Sequence, residues 1–284
     1  MKYFNYLLQA IIIYMSFLLI KTLGINISRK IFIRIFRVIG PIVRTNKIVV
    51  SNINRINETI DEGEREKIID EMWSNYAITF VEYVYLKKFS SQQNHIQIKN
   101  KEILEKISNS KKPVIFISGH FSNFELMAME IYKSKVKLSA IYRPLNNIFL
   151  NPLMENIRKK YICRKQIKKG ISGTKEILKH FKLGTSIALM IDQRVSQGIR
   201  SLLFKNEALT TTIPAQFVKK FNCKIVPIYI ERKINESFVL EIMQPISFDN
   251  DKTIENITLK LNELLEMMII RNPNQWIWSH NRWK

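Results

Sequence analysis

Beyond the polar segment 90–94, the chain alternates short apolar runs with longer amphipathic runs, and this alternation constrains the fold more than any other feature. The apolar runs have the length of strands, and the amphipathic runs have helical spacing. Strands are predicted at 113–118, 137–142, 186–191, 223–230 and 237–243. Helices are predicted at 122–134, 148–160, 173–182, 211–221 and 253–270. The alternation predicts an α/β fold with a mostly parallel central sheet flanked by helices.

The N-terminal segment is apolar and carries no charge from residue 4 to residue 20. A run of about 17 residues is at the short end for a membrane-spanning helix, but Lys21 can snorkel and lengthen it. A helix buried in the core is the alternative. A signal peptide is disfavoured because only Lys2 precedes the run and no small-x-small cleavage site follows. We therefore expect residues 1–25 to anchor the chain in a membrane, by spanning it or lying in its interface. The basic residues that follow keep the rest of the chain cytoplasmic.

Residues 26–95 are predicted to be a basic and amphipathic helical region. Residues 26–45 mix Ile, Phe and Val with Arg and Lys at helical spacing, a pattern that suits either an anionic lipid surface or an ordinary packed helix. Residues 62–88 read as one long helix that begins with three glutamates and ends at the polar segment 90–94. The remaining residues, 96–284, form the predicted catalytic α/β domain.

The chain is strongly basic, with a net charge of +21 from 45 basic and 24 acidic residues. Such a balance predicts a polyanionic partner, which is a nucleic acid, an anionic lipid or an acidic protein. The chain has no recognised nucleic-acid-binding motif and no glycine-rich phosphate loop. Its two cysteines and four histidines form no disulfide framework and no zinc spacing. A metal site and a nucleotide enzyme are therefore disfavoured.

His120 and Glu125 form the first candidate site. They stand in Gly119-His-Phe-Ser-Asn-Phe-Glu125, between a predicted strand and a predicted helix whose cap would be Ser122 or Asn123. Histidine is suited to take a proton near neutral pH, and a carboxylate five residues on would hold the imidazole in one tautomer. A buried histidine that is merely satisfied by a neighbouring carboxylate is the alternative.

Polar residues also follow other predicted strands. Arg143 follows 137–142, and Asp192, Gln193 and Arg194 follow 186–191. Ligands bind beyond the carboxyl ends of strands in open α/β sheets, so these residues and His120 are expected to line one crevice. Arg158 closes the helix between them. An arginine at such a place clamps phosphate or carboxylate, although a solvated basic face explains Arg158-Lys-Lys160 equally well.

Taken in order, these clusters resemble the late acyltransferases of lipid A biosynthesis, the lauroyl/myristoyl transferase family of the lysophospholipid acyltransferase superfamily. The resemblance runs from the N-terminal anchor to the last residue. It rests on the segments Gly119–Glu125, Tyr142-Arg-Pro144 with Arg158, Asp192-Gln193 with Gly198-Ile199, Ala208-Leu-Thr-Thr-Thr212 and Pro273-Asn-Gln-Trp-Ile-Trp-Ser-His-Asn-Arg-Trp-Lys284.

The resemblance implies an inner-membrane enzyme whose active site faces the cytoplasm. It implies transfer of a fatty acyl group from the thioester of acyl carrier protein to a hydroxyl of an anionic, Kdo-bearing lipid A precursor, with no cofactor. His120 would be the general base and Glu125 its support, with Arg158 and Asp192 completing the catalytic set. The candidate substrate-binding residues are Asn123, Arg143, Gln193 and Arg194.

The chain departs from the family pattern at positions that bear on substrate placement and on the choice of acyl chain length. Arg194 replaces an acidic residue that many members have, and Leu203-Phe-Lys205 replaces Phe-Phe-Gly. Three alternatives remain: a glycerolipid acyltransferase of the same superfamily, a membrane-tethered nucleic-acid-binding protein and a catalytically dead scaffold. The first usually carries Asp at the position of Glu125 and lacks the tryptophan-rich tail. The second leaves His120 and Glu125 unexplained.

Overall fold

A computed structural model describes residues 1–44, 46–92 and 94–284 of the chain. Its helices are α1 Lys2–Leu23, α2 Ile25–Val43, α3 Asn46–Ile56, α4 Glu62–Tyr83, α5 Leu86–Ser91, α6 Lys101–Ser110, α7 Glu125–Lys133, α8 Asn151–Tyr161, α9 Ile171–Lys182, α10 Ile213–Phe221 and α11 Ile254–Arg271. Its strands are β1 Ile96–Lys99, β2 Ile115–Ser118, β3 Leu138–Tyr142, β4 Lys165–Lys168, β5 Ser186–Met190, β6 Ile199–Leu203, β7 Asn206–Thr210, β8 Ile225–Arg232 and β9 Phe238–Ile242. A 3₁₀ turn covers Pro273–Gln275.

Seven of the described strands form the central sheet, in the order β1-β9-β8-β2-β5-β3-β4. Every neighbouring pair is parallel except β8 and β9, which run antiparallel. The strand β2 lies at the centre and all four of its residues are buried, as expected for a strand covered on both faces. The strands β6 and β7 form a separate antiparallel hairpin. The predicted α/β class with a mostly parallel sheet is confirmed.

The boundaries differ from the prediction where the backbone turns sharply. The long helix predicted at 62–88 ends at Tyr83, and the short helix α5 follows it. The helix predicted at 122–134 begins only at Glu125, because Ser122 has a left-handed φ of 46° that a helix cannot contain. The strands β1, β4, β6 and β7 were not predicted, and each has only four or five residues. Thr45, in the predicted segment 26–45, lies outside the described residues. Gln93, in the segment 90–94, lies outside them too.

The N-terminal helices cover one side of the α/β domain. Gly24, with a φ of 78° that glycine tolerates, separates α1 from α2. The helix α2 then packs on α4 so closely that a side chain at Gly40 would collide with the ring of Trp73. The helix α4 in turn contacts the 3₁₀ turn near the C-terminus. The helical region therefore shares the core of the sheet domain, and the division at residues 25 and 95 stays a prediction.

The helix α1 is long and apolar enough to cross a membrane, and in the described residues it is the one helix that meets this test. Only Ala10 and Ile20 of this helix are buried. Its exposed apolar side chains include Phe4, Leu7, Leu8, Ile11, Ile12, Met15, Leu18 and Leu19. An apolar helix with this much exposed surface needs a further apolar environment around it.

Candidate active site

The register of the sheet brings His120 and Asp192 together. The strands β2 and β5 are parallel neighbours, with Ser118 opposite Met190. His120 and Asp192 each lie two residues beyond these paired ends, so they meet at the carboxyl edge of the sheet. The sequence predicted this crevice from the two strand ends, and the structure joins the two residues directly.

Asp192 accepts hydrogen bonds from two residues at the centre of this edge. Its Oδ2 accepts from the backbone N–H of His120 at 2.7 Å and from the indole N–H of Trp276 at 3.0 Å. Its Oδ1 lies 2.8 Å from Nδ1 of the His120 ring. The side chain of Asp192 is fully buried. Burial acts to raise the pKa of the carboxyl, but His120 and these hydrogen bonds outweigh it and hold the pKa below its usual value.

The charge of Asp192 fixes the tautomer of His120. An ionised carboxylate only accepts hydrogen bonds, so Nδ1 of His120 must carry the proton. In the neutral imidazole, Nε2 then holds the free lone pair that a general base requires. The side chain of His120 is 17% exposed, lies on the wall of a cavity and contacts the ring of Phe124 edge-on.

Glu125 pairs with Arg158 instead of with the imidazole. Its Oε1 accepts from Nε and Nη2 of Arg158, at 2.8 and 2.6 Å, and from the hydroxyl of Tyr83. Among the described residues, no hydrogen bond joins Glu125 to His120, and the structure gives the expected supporting position beside the ring to Asp192. Burial acts against the charged form of Arg158, but Glu125 and Tyr83 outweigh it and raise the pKa of the guanidinium.

The cavity beside His120 has a volume of about 500 Å³. Its mouth carries charged and polar side chains, including Arg143, Lys169 and Gln193. Its inner wall is mostly apolar and includes Phe116, Met127, Ala128, Ile131, Leu189 and Ile228. A cavity with a polar mouth and a hydrocarbon-lined interior fits an amphiphilic substrate.

The four predicted substrate-binding residues occupy different positions. Arg143 is exposed and lines the cavity with Gln193. Lys169 lines the cavity too, so two cations face its mouth together. Burial and the nearby charge of Arg143 lower the pKa of Lys169. Arg194 is tied to the C-terminal tail, with its backbone N–H on Nε2 of His280 at 3.0 Å and its Nε on the carbonyl of Lys284 at 2.9 Å.

Asn123 departs most from its predicted place. Its side chain is fully buried, and its amide donates to Oε2 of Glu82 at 2.8 Å. The expected direct contact with substrate is therefore replaced by a contact with the protein interior. Neither Asn123 nor Ser122 caps α7 through its side chain, because Phe124 holds the cap position.

The turn that carries His120 is held from several sides. The N–H of Ser122 donates to the carbonyl of Gln275 at 2.9 Å, and its carbonyl accepts from the hydroxyl of Thr79 at 3.3 Å. Together with the Asn123 bond to Glu82, these contacts maintain the left-handed φ of Ser122. A sparsely populated backbone conformation of this kind persists only where its surroundings determine it.

Sequence reasoning missed Glu82 and the contacts of the tail. Glu82 is fully buried and accepts from Arg29 at 2.5 Å, from Arg232 and from Asn123. Its signal was present, since a glutamate interrupts the apolar run Phe80-Val-Glu-Tyr-Val84. The tail places Trp276 on Asp192 and His280 on Arg194, which a tryptophan-rich composition does not reveal.

Within residues 1–44, 46–92 and 94–284, no group of three or more His, Cys, Asp or Glu side chains is placed to hold a metal ion. Among the titratable groups of the site, Asp192 and His120 both act on the pKa of His280. Burial lowers the pKa of His280, which accepts a backbone hydrogen bond on Nε2 and is thereby kept neutral.

Comparisons with known proteins show the family of this chain. The chain is similar to lipid A biosynthesis acyltransferase 2 from Shigella flexneri, with 22% identity over 229 residues that cover 76% of this chain and 70% of that protein. The crystal structure of the 1-acyl-sn-glycerophosphate (LPA) acyltransferase PlsC from Thermotoga maritima covers 89% of this chain and 100% of its own, at 13% identity and a TM-score of 0.44. The family model described as bacterial lipid A biosynthesis acyltransferase matches residues 2–284. The chain belongs to the bacterial lipid A biosynthesis acyltransferase family.

Proposed function

We propose that this acyltransferase moves a fatty acyl group from the thioester of acyl carrier protein to a hydroxyl of a Kdo-bearing lipid A precursor. It does so at the cytoplasmic face of the bacterial inner membrane, in lipopolysaccharide biosynthesis. Family membership and the apolar helix α1 support a lipid acceptor and association with a membrane. The observation that carries the chemistry is the His120–Asp192 pair at the mouth of an apolar cavity.

In the proposed mechanism, His120 is the general base. Its Nε2 takes the proton of the acceptor hydroxyl as the oxygen attacks the thioester carbonyl, and the C–O bond forms. The carboxylate of Asp192 stabilises the imidazolium that results. Collapse of the tetrahedral intermediate breaks the C–S bond, and the imidazolium returns its proton to the departing thiolate. The products are an ester and a free thiol, so atoms and charge balance without a cofactor.

The oxyanion of the intermediate needs hydrogen-bond donors beside His120. Two groups are candidates: the backbone N–H groups at the start of α7, and Arg158. Glu125 engages Nε and Nη2 of Arg158, and in the described residues no hydrogen bond occupies its Nη1. We therefore assign Glu125 to hold the guanidinium in place, while Arg158 stabilises negative charge on the reacting group.

The charge at the mouth supports acidic substrates. Arg143 and Lys169 face the cavity together, and the whole chain has a net charge of +21. Acyl carrier protein is acidic, and the lipid precursor carries phosphates and Kdo carboxylates. Attraction of this kind speeds encounter and weakens as salt is added, so transfer should slow at high ionic strength.

Mass spectrometry of the product tests this proposal. The purified protein is incubated with acyl-loaded acyl carrier protein and either the Kdo-bearing precursor or lysophosphatidic acid. We expect one added acyl group on the former, little product on the latter and no effect of EDTA. His120→Ala should lower the rate about 10²–10⁴-fold. Activity of His120→Ala equal to the wild type, or acylation of lysophosphatidic acid alone, contradicts the proposal.

A further inference from the structure

The segment 145–149, here called the lip, lies between the cavity and the apolar helix α1. Leu145 lines the cavity, and Leu145, Ile148 and Phe149 all expose their apolar side chains. The lip also bonds to α1: the amide of Asn147 donates to the carbonyl of Tyr6 at 2.8 Å, and the hydroxyl of Tyr14 donates to the carbonyl of Phe149 at 3.2 Å. The wall of the cavity is thus continuous with the helix.

The helix α1 lies along the protein through most of its length. Most of its less exposed residues follow one helical stripe: Tyr6, Ala10, Ile13, Phe17 and Ile20. At 1.5 Å per residue the stripe is about 21 Å long. One end of it packs on α4, where Phe17 meets Phe80 at 5.4 Å, and the other end packs on the lip. Lipid that surrounds the other faces of α1 must therefore also reach the lip.

The lip is built to tolerate an apolar surrounding. Oδ1 of Asn147 accepts from the N–H of Phe149 at 3.0 Å and of Leu150 at 3.3 Å. Oδ1 of Asn151 accepts from the N–H of Leu145 at 2.8 Å. These bonds satisfy backbone groups that would otherwise need water, which is the main obstacle to placing a loop in a membrane.

The charges beside the lip match an anionic lipid surface. Arg143 is exposed two residues before the lip, and Lys169 shares the cavity mouth with it. At the other end of the contact, Lys2 lies over the ring of Tyr6. Apolar side chains flanked by cations are typical of segments that insert at the headgroup boundary of an anionic bilayer.

We propose that the lip inserts into the bilayer beside α1, with Ile148 and Phe149 among the lipid acyl chains, and that the cavity opens directly onto the membrane. A lipid acceptor then enters sideways, with its acyl chains passing over Leu145 and its headgroup meeting Arg143. The entry of an acceptor rests on the proposed function. The insertion of the lip does not, because it is argued from the apolar surface of α1, the contacts of the lip with α1 and the exposed side chains of the lip.

Spin labels on single introduced cysteines test the insertion without any turnover. The two native cysteines are buried, and burial raises the pKa of Cys163 to about 11 and of Cys223 to about 12, so both react poorly with a nitroxide reagent. Labels are placed by Ile148→Cys in the lip and Ile12→Cys on α1. Leu183→Cys is the matched control, because Leu183 is also apolar and exposed but precedes the amino end of β5, whereas the lip follows the carboxyl end of β3.

The full-length variants are reconstituted into vesicles of phosphatidylethanolamine and phosphatidylglycerol. Collision with oxygen and with a water-soluble nickel complex is then measured by electron paramagnetic resonance. We expect the labels at residues 12 and 148 to collide several-fold less with nickel than the label at residue 183, and more with oxygen. Full nickel access at residue 148 overturns the proposal, whether residue 12 is shielded or not. Shielding at residue 148 that disappears when protein is diluted at constant lipid indicates a second copy instead, and also overturns it.

Discussion

Asp192 binds His120 twice, through the backbone N–H at 2.7 Å and through Nδ1 of the ring at 2.8 Å. The first bond fixes where the turn after β2 lies, and the second fixes how the imidazole is rotated and protonated. Both depend on a carboxylate that is fully buried and ionised. The position and the tautomer of His120 therefore depend on one side chain, which follows the neighbouring strand β5.

Asp192→Asn should lower the rate of acyl transfer about 10³–10⁴-fold with little change in size or shape of the side chain. The amide can donate a hydrogen bond to Nδ1, which moves the imidazole proton to Nε2 and removes the lone pair that attacks the hydroxyl. The rate is measured with saturating acyl donor, so that binding does not limit it. A variant that keeps more than a tenth of the wild-type rate would show that Asp192 does not set the tautomer.

Glu125→Gln should also lower the rate, but through Arg158. The buried guanidinium loses the carboxylate that holds it, at a cost of about 3 kcal/mol in stability, whereas an exposed pair such as Arg200–Glu207 contributes about 0–1 kcal/mol. Urea unfolding in detergent compares Glu125→Gln with Glu207→Gln.

The pH dependence of the rate separates the two possible roles of Glu125. Because Glu125 contacts Arg158 and Tyr83, Glu125→Gln should lower the rate without moving the acid limb of the pH profile. That limb reports protonation of the general base. A shifted acid limb would place Glu125 in direct contact with the His120 ring and would restore the interpretation drawn from the sequence.

The sequence predicts where strand ends meet, but it does not predict contacts between side chains of different segments. The strand ends predicted a shared crevice for His120 and Asp192, since parallel strands align their carboxyl ends. Their direct hydrogen bond does not follow from the sequence, because it requires β2 and β5 to be neighbours although five elements separate them in the chain. The contact of Glu125 with Arg158 depends on where α8 lies relative to α7, and Tyr83 joins the same pair from α4. Spacing along one segment contains no information about such packing.

The hydrogen bond from Asn123 to Glu82 can be tested by exchanging its donor and its acceptor. Glu82→Gln alone leaves Arg29 and Arg232 buried with less compensation, and Asn123→Asp alone sets two carboxylates face to face. Each single variant should lose about 3 kcal/mol of stability and most of its activity. The double variant Glu82→Gln with Asn123→Asp again has one amide donor and one carboxylate acceptor, so activity should recover in part.

Recovery is measured as the rate of the double variant relative to each single variant at equal amounts of folded protein. Glu236→Gln is the matched control, because Glu236 lies 3.7 Å from Arg29 and 3.9 Å from Arg232 but is 38% exposed. It should change the rate little. If the double variant is no more active than the weaker single variant, the bond between Glu82 and Asn123 does not position the turn that carries His120.

Trp276→Phe should give a loss of stability that depends on pH. Its indole N–H donates to the Asp192 carboxylate, a bond to a charged acceptor worth about 1.5–3 kcal/mol. The pKa of Asp192 is lowered in the folded protein, so this contribution is present above the ordinary value of 3.8 and is lost as the pH falls through the folded value. Trp278→Phe is the control, because the Trp278 indole is equally buried and donates to the neutral carbonyl of Pro273. Urea midpoints are measured from pH 7 down to the acid limit of folding, and the deficit relative to wild type should narrow at acid pH for Trp276→Phe only. Parallel curves for the two variants would mean that Trp276 contributes packing alone.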